Sequence, residues 1–176
     1  KKGIINKRTK FKAKDGIHEA ILLSTNQVRL NIKDVSSLEK YKDAVLINTG
    51  SPHYIKLVED ASLVNVNKEG KLIRFSDRFN LDGINVNFIS KINNNRFLIR
   101  TYERGVENET LACGTGAVAG ALVLHYLGET STKKELVFEA RGGILRVGFE
   151  FVNQQYYSKI FLQGPATFVY TGIINI

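Results

Sequence analysis

Cys113 is the only cysteine among 176 residues, and it stands where a thiol could do chemistry. A charged approach containing Glu103, Arg104, Glu107 and Glu109 precedes it, and Gly114-Thr115-Gly116 follows. A thiol so placed has two chemistries open to it. It can do acid–base work beside a bound carboxylate, or it can attack an acyl carbon with a histidine as base, His53 being the candidate. The competing reading is an ordinary buried thiol at a helix start.

The elements around it follow from composition. Ala117-Val118-Ala119-Gly120-Ala121-Leu122-Val123-Leu124 is apolar on every side, which predicts a helix buried on all faces. It is too short to span a bilayer, which takes about 20 apolar residues. Thr115 can cap its N-terminus and Gly128 suits a left-handed residue at its C-terminus, so the helix should run from Cys113 to about Leu127. The sulfur then faces free N–H groups and the positive end of the helix dipole. The thiol pKa should therefore fall towards neutrality. The N–H groups of Gly114, Thr115 and Gly116 could also hold an anion. Glycine on both sides of Thr115 costs helix propensity, which suggests a ligand touching backbone.

Strands are expected over 9–14 and 18–23, turning at Asp15-Gly16, and over Val28–Ile32, Ala44–Asn48 and Tyr54–Val58. Val86–Ile92 and Phe97–Tyr102 read as a hairpin across Asn93-Asn94-Asn95. Glu135–Ala140, Ile144–Phe151, Tyr157–Leu162 and Thr167–Tyr170 read as further strands, with breaks that include Gly164-Pro165. Val64–Arg74 is ambiguous, because Gly70 argues against a helix interior. Many short strands around one apolar helix suggest a sheet curled over it.

Length suits one domain, or one and a fraction. No methionine is present, even at position 1, so Lys1 is not expected to be the native start. One cysteine gives no internal disulfide and fits a reducing cytoplasm. The formal charge of +8 raises nucleic-acid binding, with Lys1, Lys2, Lys7, Arg8, Lys10, Lys12 and Lys14 at the front. Lys10, Lys12 and Lys14 alternate with Phe11 and Ala13, however, as a solvated strand face would. No helix-turn-helix, zinc-finger or aromatic RNA-binding pattern appears, so neither nucleic acid nor membrane is expected as a partner. No Cys/His cluster suggests a metal.

Tyr102-Glu103-Arg104-Gly105 followed by Glu109-Thr110-Leu111-Ala112-Cys113-Gly114-Thr115-Gly116-Ala117 resembles the second cysteine motif of the diaminopimelate epimerase family. Gly50-Ser51-Pro52-His53, Gly83-Ile84-Asn85-Val86-Asn87-Phe88 and Gly164-Pro165-Ala166 resemble other stretches of that family, in its order. The family has two similar halves, each with one cysteine at the start of a central helix. The first half has no counterpart in these residues.

The resemblance implies an α+β fold, a barrel of mostly antiparallel strands wrapped around a central buried helix. It implies that residues 1–34 are remnant strands of the N-terminal domain, 35–165 the C-terminal domain, and 166–176 a strand returning to the N-terminal domain. It favours a short helix within 64–74. It implies a cofactor-independent epimerase that interconverts LL- and meso-diaminopimelate with two cysteines, for lysine and peptidoglycan precursor synthesis. By resemblance Cys113, Glu103 and His53 are catalytic, and Asn85, Arg104, Gly114, Thr115 and Ser51 bind substrate. Arg104 would clamp the distal carboxylate, a bidentate task suited to guanidinium. Ser51 departs from the family's usual asparagine and offers no amide. The expected partners are the amino-acid substrate, the missing half and a second copy in a homodimer. Alone, the chain is expected to be inactive. A cysteine-nucleophile hydrolase or acyltransferase and a basic binding module are the alternatives.

Overall fold

The structure, a computed structural model, describes residues 6–13, 16–130, 135–153 and 155–174. Lys1, Lys2, Lys14, Asp15 and the last two residues lie outside them, as does part of each terminal segment expected above.

The organising element is α2 (Gly114–Tyr126). Every residue from Gly116 to Leu124 is buried, as its lack of a polar face requires. Its end is built as expected. Gly128 takes φ 76°, its N–H donates to the His125 carbonyl, and the Glu129 N–H donates to the Leu124 carbonyl. Its start differs from expectation. Cys113, not Thr115, is the N-cap residue, at φ −121°, and Thr115 lies inside the first turn.

Eight strands enclose it: β4 (Leu38–Tyr41), β5 (Ala44–Asn48), β6 (Pro52–Leu57), β7 (Asn85–Asn93), β8 (Arg96–Glu103), β10 (Leu136–Ala140), β11 (Gly143–Asn153) and β12 (Tyr156–Pro165). They pair in the order β12-β11-β10-β8-β7-β6-β5-β4, and only the β6–β7 and β8–β10 pairs are parallel. The curl nearly closes, because Val35, just before β4, pairs with Tyr157 of β12 through N–H···O bonds of 3.0 and 2.8 Å. The Leu38 N–H also donates to Gln155 Oε1 at 3.0 Å. Inside, Val118, Leu122 and Val123 pack with Ile89, Phe138, Val147 and Tyr157. The fold is thus α+β, a mixed and mainly antiparallel sheet curled around a buried helix.

Outside the curl, β1 (Arg8–Ala13), β2 (Gly16–Ser24) and β3 (Gln27–Asn31) extend the sheet from the second half of β12. The β12 strand runs through Gly164 and Pro165 instead of breaking there. The strand expected at Thr167–Tyr170 is not formed, and residues 166–174 contain no helix or strand. Phe168, Val169 and Tyr170 are exposed, so no core rewards ordering them. Two strands were not anticipated: β4, whose Leu38-Glu39-Lys40-Tyr41 mixes charge with apolar groups, and the short β9 (Asn108–Thr110), which pairs with β8.

The ambiguous stretch contains α1 (Val66–Arg74), capped by Asn65, whose side chain accepts from the Lys68 N–H. Gly70 lies within it because the helix rests on the Tyr102 side chain, where a Cβ would collide. In an exposed helix Gly→Ala gains about 1 kcal/mol. Here we expect Gly70→Ala to destabilise by about 1–3 kcal/mol through overpacking, read as a lower urea midpoint. A raised midpoint would contradict this packing.

Candidate functional site

The site is built where the first turn of α2 meets β6, β7 and β8. His53, on β6, is fully buried. Its Nε2 lies 3.0 Å from Thr115 Oγ1 and its Nδ1 3.0 Å from Asn87 Nδ2. Asn87 Oδ1 accepts from the Thr101 hydroxyl at 2.9 Å, and Nδ2 also faces the Tyr54 carbonyl at 3.3 Å. Those partners fix which end of the Asn87 amide is which. Nδ1 of His53 is therefore an acceptor, and Nε2 carries the proton and donates to Thr115. The Thr115 hydroxyl is in turn 3.6 Å from Cys113 Sγ. Thr49 fastens the same turn, donating to the Thr115 carbonyl at 2.9 Å.

Burial, and secondarily the positive charge of Arg104, push the His53 pKa down from 6.5 to about 3. The ring is neutral at physiological pH. Burial pushes the Cys113 thiol up, and the Glu103 carboxylate beside it pushes the same way. The Thr115 hydroxyl and the Gly116 N–H oppose this without overcoming it. The expected fall of the thiol pKa towards neutrality is thereby overturned: loss of water outweighs the helix terminus.

Glu103, at the end of β8, accepts a 2.6 Å hydrogen bond from the Thr110 hydroxyl on β9. Arg104 is exposed, and its Nη1 donates to the Asp82 carbonyl at 2.8 Å. Its backbone N–H donates to Asn85 Oδ1 at 2.9 Å. Asn85 Nδ2 donates to Ser51 Oγ at 2.8 Å and to the Pro52 carbonyl at 3.2 Å. Both amide hydrogens of this buried asparagine are therefore occupied, and it braces Ser51 and Arg104.

The named residues fall into two linked groups. Cys113, Glu103, Thr115 and His53 surround the helix start, while Asn85, which pairs across from His53, joins Ser51 to the Arg104 backbone. The two glycines have a packing reason. A Cβ on Gly114 would meet Leu162 Cδ2 at 2.7 Å, and one on Gly116 would strike Asn87 Oδ1. Their presence does not by itself indicate a ligand. Sequence reasoning missed Asn87, Thr101, Thr110 and Thr49. A signal existed for Asn87: Asn85 and Asn87 share one face of the strand, interleaved with the apolar Val86 and Phe88. Among the described residues no group of three or more His, Cys, Asp or Glu side chains is placed to hold a metal ion, and no helix is long and apolar enough to cross a membrane.

A profile of the family described as "Diaminopimelate epimerase" matches residues 45–169. The chain belongs to the diaminopimelate epimerase family. The diaminopimelate epimerase of Flavobacterium psychrophilum is 40% identical over 174 residues, covering 99% of this chain and 67% of the relative. That of Aquifex aeolicus is 35% identical over 183 residues, covering 99% of this chain and 64% of the relative. The chain thus spans about two thirds of the length of these curated relatives. Among solved structures, a hydroxyproline epimerase from Agrobacterium vitis with bound trans-4-hydroxy-L-proline superposes with a TM-score of 0.67 at 14% identity, over 90% of this chain and 56% of that one. A probable proline racemase from Agrobacterium radiobacter K84 gives 0.67 at 14% identity, over 95% and 60%. At that identity the likeness is one of fold.

Two outcomes follow from the charges. Removing the negative charge of Glu103 should lower the Cys113 pKa, so Glu103→Gln should react faster with iodoacetamide at pH 8, by severalfold. Slower alkylation would contradict the assigned electrostatics. For His53 the folded pKa lies below the unfolded one, so the unfolded chain binds the extra proton. The stability that follows is fully present above about pH 6.5 and is lost as pH falls towards about 3. His125 is also pushed down by burial, so the comparison belongs in a His125→Gln background. There, His53→Gln should flatten the urea-midpoint profile between pH 6.5 and 5, above the carboxylate range. An unchanged slope would contradict a neutral buried ring.

Proposed function

We propose that this chain carries one half of the acid–base machinery of a cofactor-independent epimerase that interconverts LL- and meso-diaminopimelate. The observation that carries the proposal, beside family membership, is the placement of Cys113 at the start of α2, beside the Glu103 carboxylate and the N–H groups of the helix's first turn. Inverting an α-carbon requires removing its proton on one face and delivering another on the opposite face. In this reading the substrate α-carboxylate sits on the Gly114 and Thr115 N–H groups, where charge spreading from the carbanion is stabilised. Glu103 takes the ammonium or assists the sulfur. Arg104 meets the distal carboxylate, with the donors that Asp82 leaves free, and Ser51 contributes a hydroxyl.

Cys113 S–H then gives its proton to the α-carbon and becomes a thiolate. A second thiolate on the opposite face has taken the original proton and become a thiol, so charge and protons balance. In the reverse direction the roles exchange. With one cysteine in this sequence, the second sulfur must come from outside these 176 residues. We therefore read 35–165 as the C-terminal epimerase domain, and 1–34 with 166–176 as the parts that meet the other half. Homodimerisation and a reducing cytoplasm complete the proposal, and the product would enter lysine and peptidoglycan precursor synthesis.

The cysteine-hydrolase reading loses support, because both ring nitrogens of His53 are engaged by Asn87 and Thr115 and neither faces the sulfur. The test is deuterium uptake at the substrate α-carbon in heavy water. We expect none with the 176-residue chain alone. Uptake should appear on mixing with a separately made N-terminal half of a relative, and Cys113→Ala should abolish it. Full turnover by the chain alone would overturn the two-thiol reading.

A further inference from the structure

We propose that Asn87 is a positioning residue for this site: by donating to His53 Nδ1 it holds the imidazole as the Nε2–H tautomer, which leaves the Thr115 hydroxyl proton free to be donated to the Cys113 sulfur. This deepens the epimerase reading and rests on it for what the sulfur does.

The argument is one of hydrogen-bond direction. Asn87 is fully buried at the middle of the site, and its orientation is imposed by partners on three strands. The Thr101 hydroxyl donates to Oδ1 at 2.9 Å, so Oδ1 faces β8. Nδ2 faces carbonyl oxygens of Tyr54 at 3.3 Å and of Asn85 at 3.4 Å, neither of which can donate. The third group on Nδ2 is His53 Nδ1, at 3.0 Å, and it must accept. A neutral imidazole with an accepting Nδ1 carries its proton on Nε2, which lies 3.0 Å from Thr115 Oγ1. Thr115 has one proton, and with His53 donating to it that proton is free to point at the sulfur 3.6 Å away. In the other tautomer Thr115 would donate to His53, and the sulfur would face a lone pair instead.

The surroundings support this direction. Gly116 supplies the space, since a Cβ there would strike Asn87 Oδ1. The charged groups facing the relay are Glu103 and Arg104, both from the end of β8. Burial keeps His53 neutral, so the ring passes on a fixed direction of donation and carries no charge of its own. A donor aimed at the sulfur favours the thiolate left after proton delivery. Without it, Cys113 would have only the Gly116 N–H against burial and the Glu103 carboxylate.

Because Cys113 is the only cysteine, iodoacetamide alkylation against pH reports this sulfur with no substrate present. A hydrogen bond of ordinary net strength implies that Asn87→Leu slows alkylation at pH 8 by about fivefold and moves the profile to higher pH. Thr115→Val should do the same, Thr115→Ser should restore the native profile, and the Asn87→Leu/Thr115→Val double variant should be no slower than either single one. A native profile in folded Asn87→Leu, or single effects that multiply in the double variant, would overturn the relay. Should Asn87→Leu not fold, the native chain still decides. Nitrogen-15 spectra of His53, assigned with His18→Gln and His125→Gln variants, should show a bare Nδ1 and a protonated Nε2. The opposite tautomer would overturn the proposal. Failure of deuterium uptake after mixing with an N-terminal half would count against the epimerase function and leave the alkylation result intact.

Discussion

A helix without a polar face is the constraint on which the rest of this structure depends. Nine consecutive buried residues of α2 have no stable place except inside a sheet that surrounds them. The strands therefore curl until Val35 reaches Tyr157, and the helix can meet a ligand only at its ends. The C-terminal end is closed by Gly128 and Glu129 turning back on His125 and Leu124. The N-terminal end carries the sulfur. Burial of the helix and the state of the thiol are thus one fact: the enclosure that stabilises α2 also strips water from Cys113 and keeps its proton on.

The second constraint is polar. His53, Asn85, Asn87, Thr49 and Thr101 are all buried around the first turn of α2, and each needs partners. They find them in one another, in backbone groups and in the hydroxyls of Ser51 and Thr115. Such a network is costly when incomplete, since a buried group left unpaired loses its full hydration. This explains why Gly116 tolerates no side chain and why Asn85 has no amide hydrogen to spare. Ser51 accepts from Asn85 through its oxygen, a bond that does not use the hydroxyl's own proton.

The features legible in the sequence were those set by local pattern. The all-apolar run from Ala117 to Leu124 announces a buried helix, glycine marks its end, and turn residues such as Asp15-Gly16 and Asn93-Asn94-Asn95 bound many of the strands. Local pattern failed where distant residues decide. Position alone makes the Thr115 hydroxyl a cap candidate, since it stands near a helix start; in the folded chain it is claimed by His53, sixty-two positions away. Gly70 argued against a helix because the Tyr102 ring that needs the space is invisible to propensity. The tail at Thr167–Tyr170 has strand-forming residues but no partner strand among the described residues. The glycines around Thr115 pointed to a ligand for want of any view of Leu162 and Asn87. The upward direction of the Cys113 pKa is hidden from the sequence for a related reason. Helix N-termini are legible in sequence, whereas the depth of burial behind them is not.

The electrostatics also discriminate between the two chemistries open to a thiol. A nucleophilic cysteine needs a thiolate at rest, and it obtains one from an imidazolium or another cation beside the sulfur. Here the neighbouring ionised group is Glu103, an anion, and the nearest imidazole is held neutral with both nitrogens engaged. Such a site resists forming a thiolate in the absence of a reacting partner. A donor to a carbanion has the opposite requirement. It must keep its proton until negative charge arrives on carbon, and surrender it only then. A high resting pKa, one hydroxyl aimed at the departing charge and helix N–H groups beside it for a carboxylate meet that requirement together. The same features that make Cys113 a poor resting nucleophile keep its proton in place for the direction in which it acts as the acid.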